Sequence, residues 1–162
     1  MSVTRVEKDF ERLTLTVVAD FDAPIERVWQ LWADPRLLER WWGPPSYPAT
    51  VEVHDLTPGG EVTYFLTGPQ GEKSHGWWRI TSVDPPKSLE FTDGWADQNG
   101  KPIADMPTTR VRMQLTERDG GTRMELRSIF GSREQMEQMV RLGATDAFAA
   151  AIGQMDALLE RT

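Results

Sequence analysis

The side chains able to do chemistry are few and scattered. The chain has two histidines, His54 and His75, and no cysteine. Their positions match no metal-ligand spacing such as HExxH, and the lack of cysteine excludes disulfides, thiol nucleophiles and cysteine zinc sites. A histidine could join a carboxylate as an acid–base set, but the plainer reading places both at the surface or at a strand edge. The carboxylate pairs Asp20/Asp22 and Asp93/Asp97 read as helix-cap and loop residues, since nothing in the sequence places them in a dry cleft. There is no G-x-S-x-G elbow, P-loop or dinucleotide fingerprint. No catalytic residue, metal site or cofactor is expected.

Tryptophan is the unusual resource, with seven in the chain. Trp29, Trp32, Trp41 and Trp42 could wall an apolar pocket and offer indole N–H groups. Trp29 and Trp41 read as core; Trp42, beside Gly43-Pro44-Pro45, reads as pocket rim. Trp77 and Trp78 are adjacent, so a strand sends them to opposite faces. Trp78 shares a face with Ile80 and is assigned to the interior, with His75, Trp77 and Arg79 on the other side. Gly143 and Gly153 fall inside an apolar helical pattern, where they either leave cavity volume or permit close packing. Arg110, Arg112, Arg123 and Arg127 form a basic strip. It reads as a solvated face with Glu117 and Glu125 interleaved, or as a seat for an acidic partner.

These residues need a scaffold, and 162 residues supply one domain, 1–162. Such a chain buries enough surface to need no staple. Apolar residues at 39% and charged residues at 27% are ordinary globular values. A net charge of −7 and a pI near 4.9 argue against nucleic acid as a partner. The polar N-terminus is no signal peptide and no apolar run is long enough to span a membrane, so a cytoplasmic location is expected.

Residues 1–9 read as a loose polar lead-in. Leu13, Leu15, Val17, Ala19 and Phe21 alternate as a strand. Asp22-Ala23-Pro24 and Asp34-Pro35 each open a short helix. A run of strands follows: Val51–Val53, Glu61–Thr67, Ser74–Val83, Leu89–Phe91, Val111–Leu115 and Met124–Ser128. Asp93–Thr108, polar and rich in Gly and Pro, reads as a long loop. Asp119-Gly120-Gly121 is a hairpin turn. With Arg118 opposite Gly121, Met113 faces Leu126, Leu115 faces Met124, and Arg112 faces Arg127. Ser132–Gln135 resembles a capping box, and apolar residues from Met136 to Leu159 then recur with helical period. That predicts one C-terminal helix of about 27 residues, roughly 40 Å long. The fold class is α+β: a curved antiparallel sheet of about seven strands, two short helices after the first, and the long helix packed across the sheet.

Several motifs, in order, resemble the START/Bet v 1-like helix-grip superfamily (SRPBCC), and within it the AHSA1-like family related to the activator of Hsp90 ATPase. They are Ala23-Pro24 with Val28-Trp29, Asp34-Pro35 with Leu38 and Trp41-Trp42-Gly43-Pro44, Gly59-Gly60, Gly76-Trp77-Trp78, Asp84-Pro85-Pro86-Lys87-Ser88-Leu89-Glu90-Phe91-Thr92, and Phe130, Ser132 and Glu134. The match runs from about Leu13 to Leu159. Ala147-Phe148 stands where many relatives carry Gly-Trp, which changes the pocket's shape. The resemblance implies a cavity between the C-terminal helix and the sheet.

The first functional expectation is binding of a small hydrophobic ligand, a lipid or polyketide-like aromatic, in that cavity. Its expected lining is Leu38, Trp42, Val53, Tyr64, Leu66, Trp78, Ile80, Phe91, Met113, Leu126, Met139 and Gly143. Buried apolar area would supply the affinity, and methionines would let the wall adapt. The second expectation is a chaperone-linked or other protein-interaction module of the stress response, monomeric or homodimeric. The third is a cyclase- or hydrolase-type enzyme, for which the inner face offers few polar groups.

Overall fold

The computed structural model describes residues 3–160. The elements are β1 Val3–Asp9, β2 Thr14–Phe21, α1 Ile25–Ala33, α2 Pro35–Leu38, β3 Ala49–His54, β4 Glu61–Thr67, β5 Lys73–Asp84, β6 Ser88–Ala96, β7 Thr109–Arg118, β8 Gly121–Phe130, α3 Arg133–Arg141 and α4 Ala144–Glu160. All the strands join one sheet in the order β1-β2-β8-β7-β6-β5-β4-β3, and every neighbouring pair is antiparallel. This is the expected α+β helix-grip architecture with eight strands rather than about seven.

The extra strand is β1, which replaces the expected lead-in; Met1 and Ser2 lie outside the described residues. It pairs with β2 from Val3↔Ala19 to Asp9↔Thr14. Its side chains are mostly exposed, so it shows no alternation to read. Backbone hydrogen bonds at a sheet edge hold it, and such bonds leave little trace in residue type. Asp9 Oδ1 accepts from the Glu11 and Arg12 N–H groups, each at 3.0 Å, and turns the chain into β2.

The β7–β8 hairpin has the expected register: Arg118↔Gly121, Leu115↔Met124, Met113↔Leu126 and Arg112↔Arg127. The basic strip is laced with acids. Arg123 forks onto Asp20 at 2.8 and 2.9 Å, Arg127 meets Glu125 at 2.9 Å, and Arg112 lies 3.9 Å from Glu90. The Arg123 hydrogen bond holds the Asp20 carboxyl below its ordinary range, against a small opposing effect of burial.

The two short helices start as their sequences dictate. Asp34 caps α2 by accepting from the Arg36 N–H at 2.9 Å. The helices drive Trp29, Trp32, Leu38 and Trp41 into the core, each no more than 7% exposed. Trp41 Nε1 donates to the Leu31 carbonyl at 2.8 Å, which fixes α2's end against α1.

The expected single C-terminal helix is broken. α3 begins as anticipated, with Ser132 Oγ accepting from the Gln135 N–H at 3.1 Å and Gln135 Oε1 accepting from the Gly131 N–H at 3.0 Å. It stops at Leu142, and Gly143 takes a left-handed φ of +85°. Gly143 is thus a helix terminator, not an interior glycine, and it adds no cavity volume. The apolar period runs through the break because both segments turn apolar faces toward the protein. Gly143→Ala is expected to lower stability by about 1 kcal/mol, since an L side chain is strained there. A denaturant midpoint unchanged or raised in that variant would show that the break does not depend on glycine.

α4 packs on β1, β2 and α1. Arg27 Nη2 donates to the Leu159 carbonyl at 2.6 Å, and Gln154 Nε2 donates to the Gly43 carbonyl at 2.7 Å. Gly153 is exposed with open space around it, so it too shapes no cavity. The consequence for function is that α3, not α4, lines the cleft beside β4, β5 and β6.

Candidate functional site

A cleft of about 490 Å³ opens between the β4–β5–β6 half of the sheet and α3. Its floor is built by cross-strand pairing. Tyr64 on β4 sits opposite Gly76 on β5, and Gly76 in turn sits opposite Trp95 on β6. A β-carbon at Gly76 would collide with the Tyr64 ring. Glycine therefore lets the ring lie across the neighbouring strand, a common remedy for glycine in sheets. The ring's reach carries the hydroxyl to β6, where it donates to Asp93 Oδ1 at 3.2 Å. Leu66, Met106, Pro107, Met139 and Leu142 supply apolar wall, while Gln135 and Gln138 of α3 add amides. Gln135 is positioned by its own bonds, with Nε2 donating to the Thr108 carbonyl at 3.1 Å.

Asp93 keeps part of its surface open to the cleft, while protein atoms crowd round its carboxyl. Burial pushes that carboxyl up from 3.8 to about 7, against the hydrogen bonds from Tyr64 and the Gly94 N–H, which favour the ionised form. Burial and the adjacent Asp93 charge push the Tyr64 phenol well above its ordinary value, partly offset by the indoles of Trp42 and Trp78. At neutral pH the site thus holds a phenol that stays protonated beside a carboxyl poised between its two forms. Such a pair can donate or accept hydrogen bonds, attract a cation or move a proton.

The expected lining residues divide sharply. Tyr64, Leu66 and Met139 line the cleft. Trp42 lies behind it, half-buried, with its ring 6.0 Å from Tyr64 and 4.7 Å from Trp78. Leu38, Trp78, Ile80, Phe91, Met113 and Leu126 are solid core, none more than 1% exposed. Aromatic rings pack closely among them: Trp78 stacks on Phe91 at 4.0 Å, and Trp32 meets Trp41 at 4.7 Å. Val53 is 49% exposed. A bulge between Val51 and Val53 reverses the alternation, so Val51 faces in and Val53 faces out. Gly143 lies outside the cleft lining, at the end of α3.

The expected lining lacks His75, Trp95, Met106, Gln135, Gln138 and Leu142, and above all Asp93. The sequence reads Asp93 as part of a loop, whereas β6 continues through Ala96 and places Asp93 opposite Trp78. The signal was present: Leu89 and Phe91 face inward, and a period of two puts Asp93 next on that face. Asp97 does belong to a turn, where Oδ1 accepts from the Asn99 and Lys101 N–H groups at 2.8 and 3.0 Å.

The histidines part company. His54 Nε2 lies 3.0 Å from the Trp32 carbonyl, a structural contact. His75 lines the cleft, half-buried, and its Nδ1 has no hydrogen-bond partner among the described residues. Neither bonds to a carboxylate within the described residues. Among the described residues no three His, Asp or Glu side chains cluster in a way that could hold a metal, and no helix is long and apolar enough to cross a membrane.

Residues 22–160 match the sequence model of the family described as "Activator of Hsp90 ATPase homolog 1-like protein". The crystal structure of a protein from Mycobacterium smegmatis is 51% identical, with a TM-score of 0.90 over 99% of this chain and 98% of that one. A solution structure from Arthrobacter aurescens is 45% identical, with a TM-score of 0.94 over 99% and 94%. The AHSA1 protein from Silicibacter pomeroyi, 23% identical with a TM-score of 0.71 over 91% and 97%, shares the fold. No curated protein matches the chain significantly. With the motif order, the helix-grip sheet and this match in agreement, the chain belongs to the activator of Hsp90 ATPase homolog 1-like family.

Proposed function

We propose that the chain is a cytoplasmic binding module that holds a small, largely apolar molecule in the cleft beneath α3. The observation that carries this reading is an apolar cleft of about 490 Å³ with one polar pair, Tyr64 and Asp93, at its floor. Apolar walls supply affinity by burial, and a few convergent polar groups fix orientation. The methionines at the rim, Met106 and Met139, let the walls adapt. The site is shifted from the expected one: the ligand lies at the edge of the tryptophan core, not within it.

The rim also favours a second reading. Trp95, Met106 and Leu142 of the cleft lining are 44%, 43% and 75% exposed, and Ile103, hydrogen-bonded to the Trp95 carbonyl, is 43% exposed. A protein partner, including a chaperone, would use that surface, and a Hsp90 pull-down that retains no chaperone counts against it. An enzymatic role in the same cleft would rest on Asp93 as its acid or base.

Nile red, a neutral apolar dye, tests the first reading. Its emission should rise and shift to the blue on saturable binding of about one molecule per chain. Met139→Trp, which fills the cleft from α3, should weaken that binding by at least about tenfold, the scale of a lost apolar contact surface. A folded Met139→Trp protein that binds the dye as the parent does would sink the reading.

A further inference from the structure

The cleft has an acid with no cation bonded to it: His75, the one basic side chain in its lining, makes no hydrogen bond to Asp93. No Lys or Arg lines it. Among the described residues no salt bridge uses Asp93. Its one side-chain partner is the neutral Tyr64 hydroxyl. A carboxylate crowded by protein and left without a cation is a deficit that a positively charged ligand would fill. The walls suit the same guest. Tyr64 and Trp95 both line the cleft, and aromatic faces attract cations that have shed water.

From this geometry we infer that the ligand is an apolar amine, its ammonium group seated on the Asp93 carboxylate and its apolar body between the sheet and Met139. The inference rests on the cleft being a ligand site and names the class of molecule. It also excludes fatty acids and other organic anions, which would meet Asp93 with no cation to offset the repulsion. The chain's net charge of −7 works in the same direction, drawing cations and repelling anions at longer range.

The titratable groups facing the cleft are Tyr64 from β4, His75 from β5 and Asp93 from β6. α3 contributes the neutral Gln135 and Gln138, and the loop before β7 contributes Met106 and Pro107. Amine binding favours the ionised carboxyl, so affinity should rise as Asp93 gives up its proton between pH 6 and pH 8.

Three probes with one apolar body separate the possibilities: 1-naphthylmethylamine, 1-naphthalenemethanol and 1-naphthoic acid, titrated by calorimetry. At pH 8 the amine should bind at least about tenfold tighter than the alcohol, and the acid weakest. Asp93→Asn should abolish the amine's advantage, so that this variant binds amine and alcohol within about twofold of each other, and an unchanged circular-dichroism spectrum shows that it is folded. Alcohol binding equal to or tighter than amine binding overturns the inference and leaves the cleft reading standing, with Asp93 acting as a neutral donor. An amine preference that survives Asp93→Asn also overturns it, by placing the cation elsewhere. Failure of all three probes to bind overturns the cleft reading and the inference together.

Discussion

Asp93→Asn is expected to make the protein more stable at pH 8 and to flatten its stability between pH 4 and pH 7. The folded-state carboxyl titrates near 7 and the unfolded one near 3.8. Between those values the folded state holds the extra proton, so stability falls as pH rises. The contribution of this group is most favourable below about pH 4 and reaches its floor above about pH 7. At about 1.4 kcal/mol per pH unit across that interval, the ionised carboxyl costs the folded protein on the order of 4 kcal/mol. Asparagine keeps the shape, still accepts from Tyr64 and carries no charge. Urea midpoints at pH 5 and pH 8 for both proteins check this. A variant whose stability falls in parallel with the parent's, or that is weaker at pH 8, would refute it. Asp20 does not blur the test: its lowered pKa adds stability that is lost only as pH falls below the window. Stability given up at one open, apolar cleft is what a site kept for a ligand looks like.

Much of the scaffold was legible in the residues. Alternation located seven of the strands, Asp34 and Ser132 announced their helices, and Asp119-Gly120-Gly121 set a register that the hairpin adopts. Each of these signals is local, with its physical cause within a few residues. What escaped depends on partners distant in sequence. The edge strand Val3–Asp9 is held by β2's backbone and buries little. The bulge beside Val53 answers to β4, and a one-residue slip moves a side chain to the other face. Gly143's left-handed turn looks the same in sequence as a glycine inside a helix, because helical periodicity survives the break. The site suffered most. Its floor joins Tyr64 to Asp93 across 29 residues, and Asp93 reads as a turn residue beside Gly94 until β6 is seen to continue.

Trp32→Ala is expected to cost about 3–5 kcal/mol, the usual range for emptying a large aromatic site in a core. Trp32 is fully buried and lies 4.7 Å from Trp41, 6.0 Å from Trp42, 6.1 Å from Trp78 and 6.4 Å from Phe91. Its removal strips one side from several neighbours at once. Trp32→Phe should cost far less, and the reason is polar. Trp32 Nε1 is buried with no hydrogen-bond partner among the described residues. Such an orphan donor costs about 1–3 kcal/mol, which phenylalanine recovers while keeping a ring in the cluster. Denaturant midpoints of the two variants give the comparison. If Trp32→Phe is as damaging as Trp32→Ala, the indole N–H has a partner and the argument fails. The alanine variant carries a second expectation. Its new cavity is apolar and enclosed, so added indole should restore part of the lost stability, by mass action on the folded state alone. The parent should show no such gain from that site. In this chain the tryptophan rings pack together in the core, and the cleft lies beside them at Tyr64 and Asp93, next to α3.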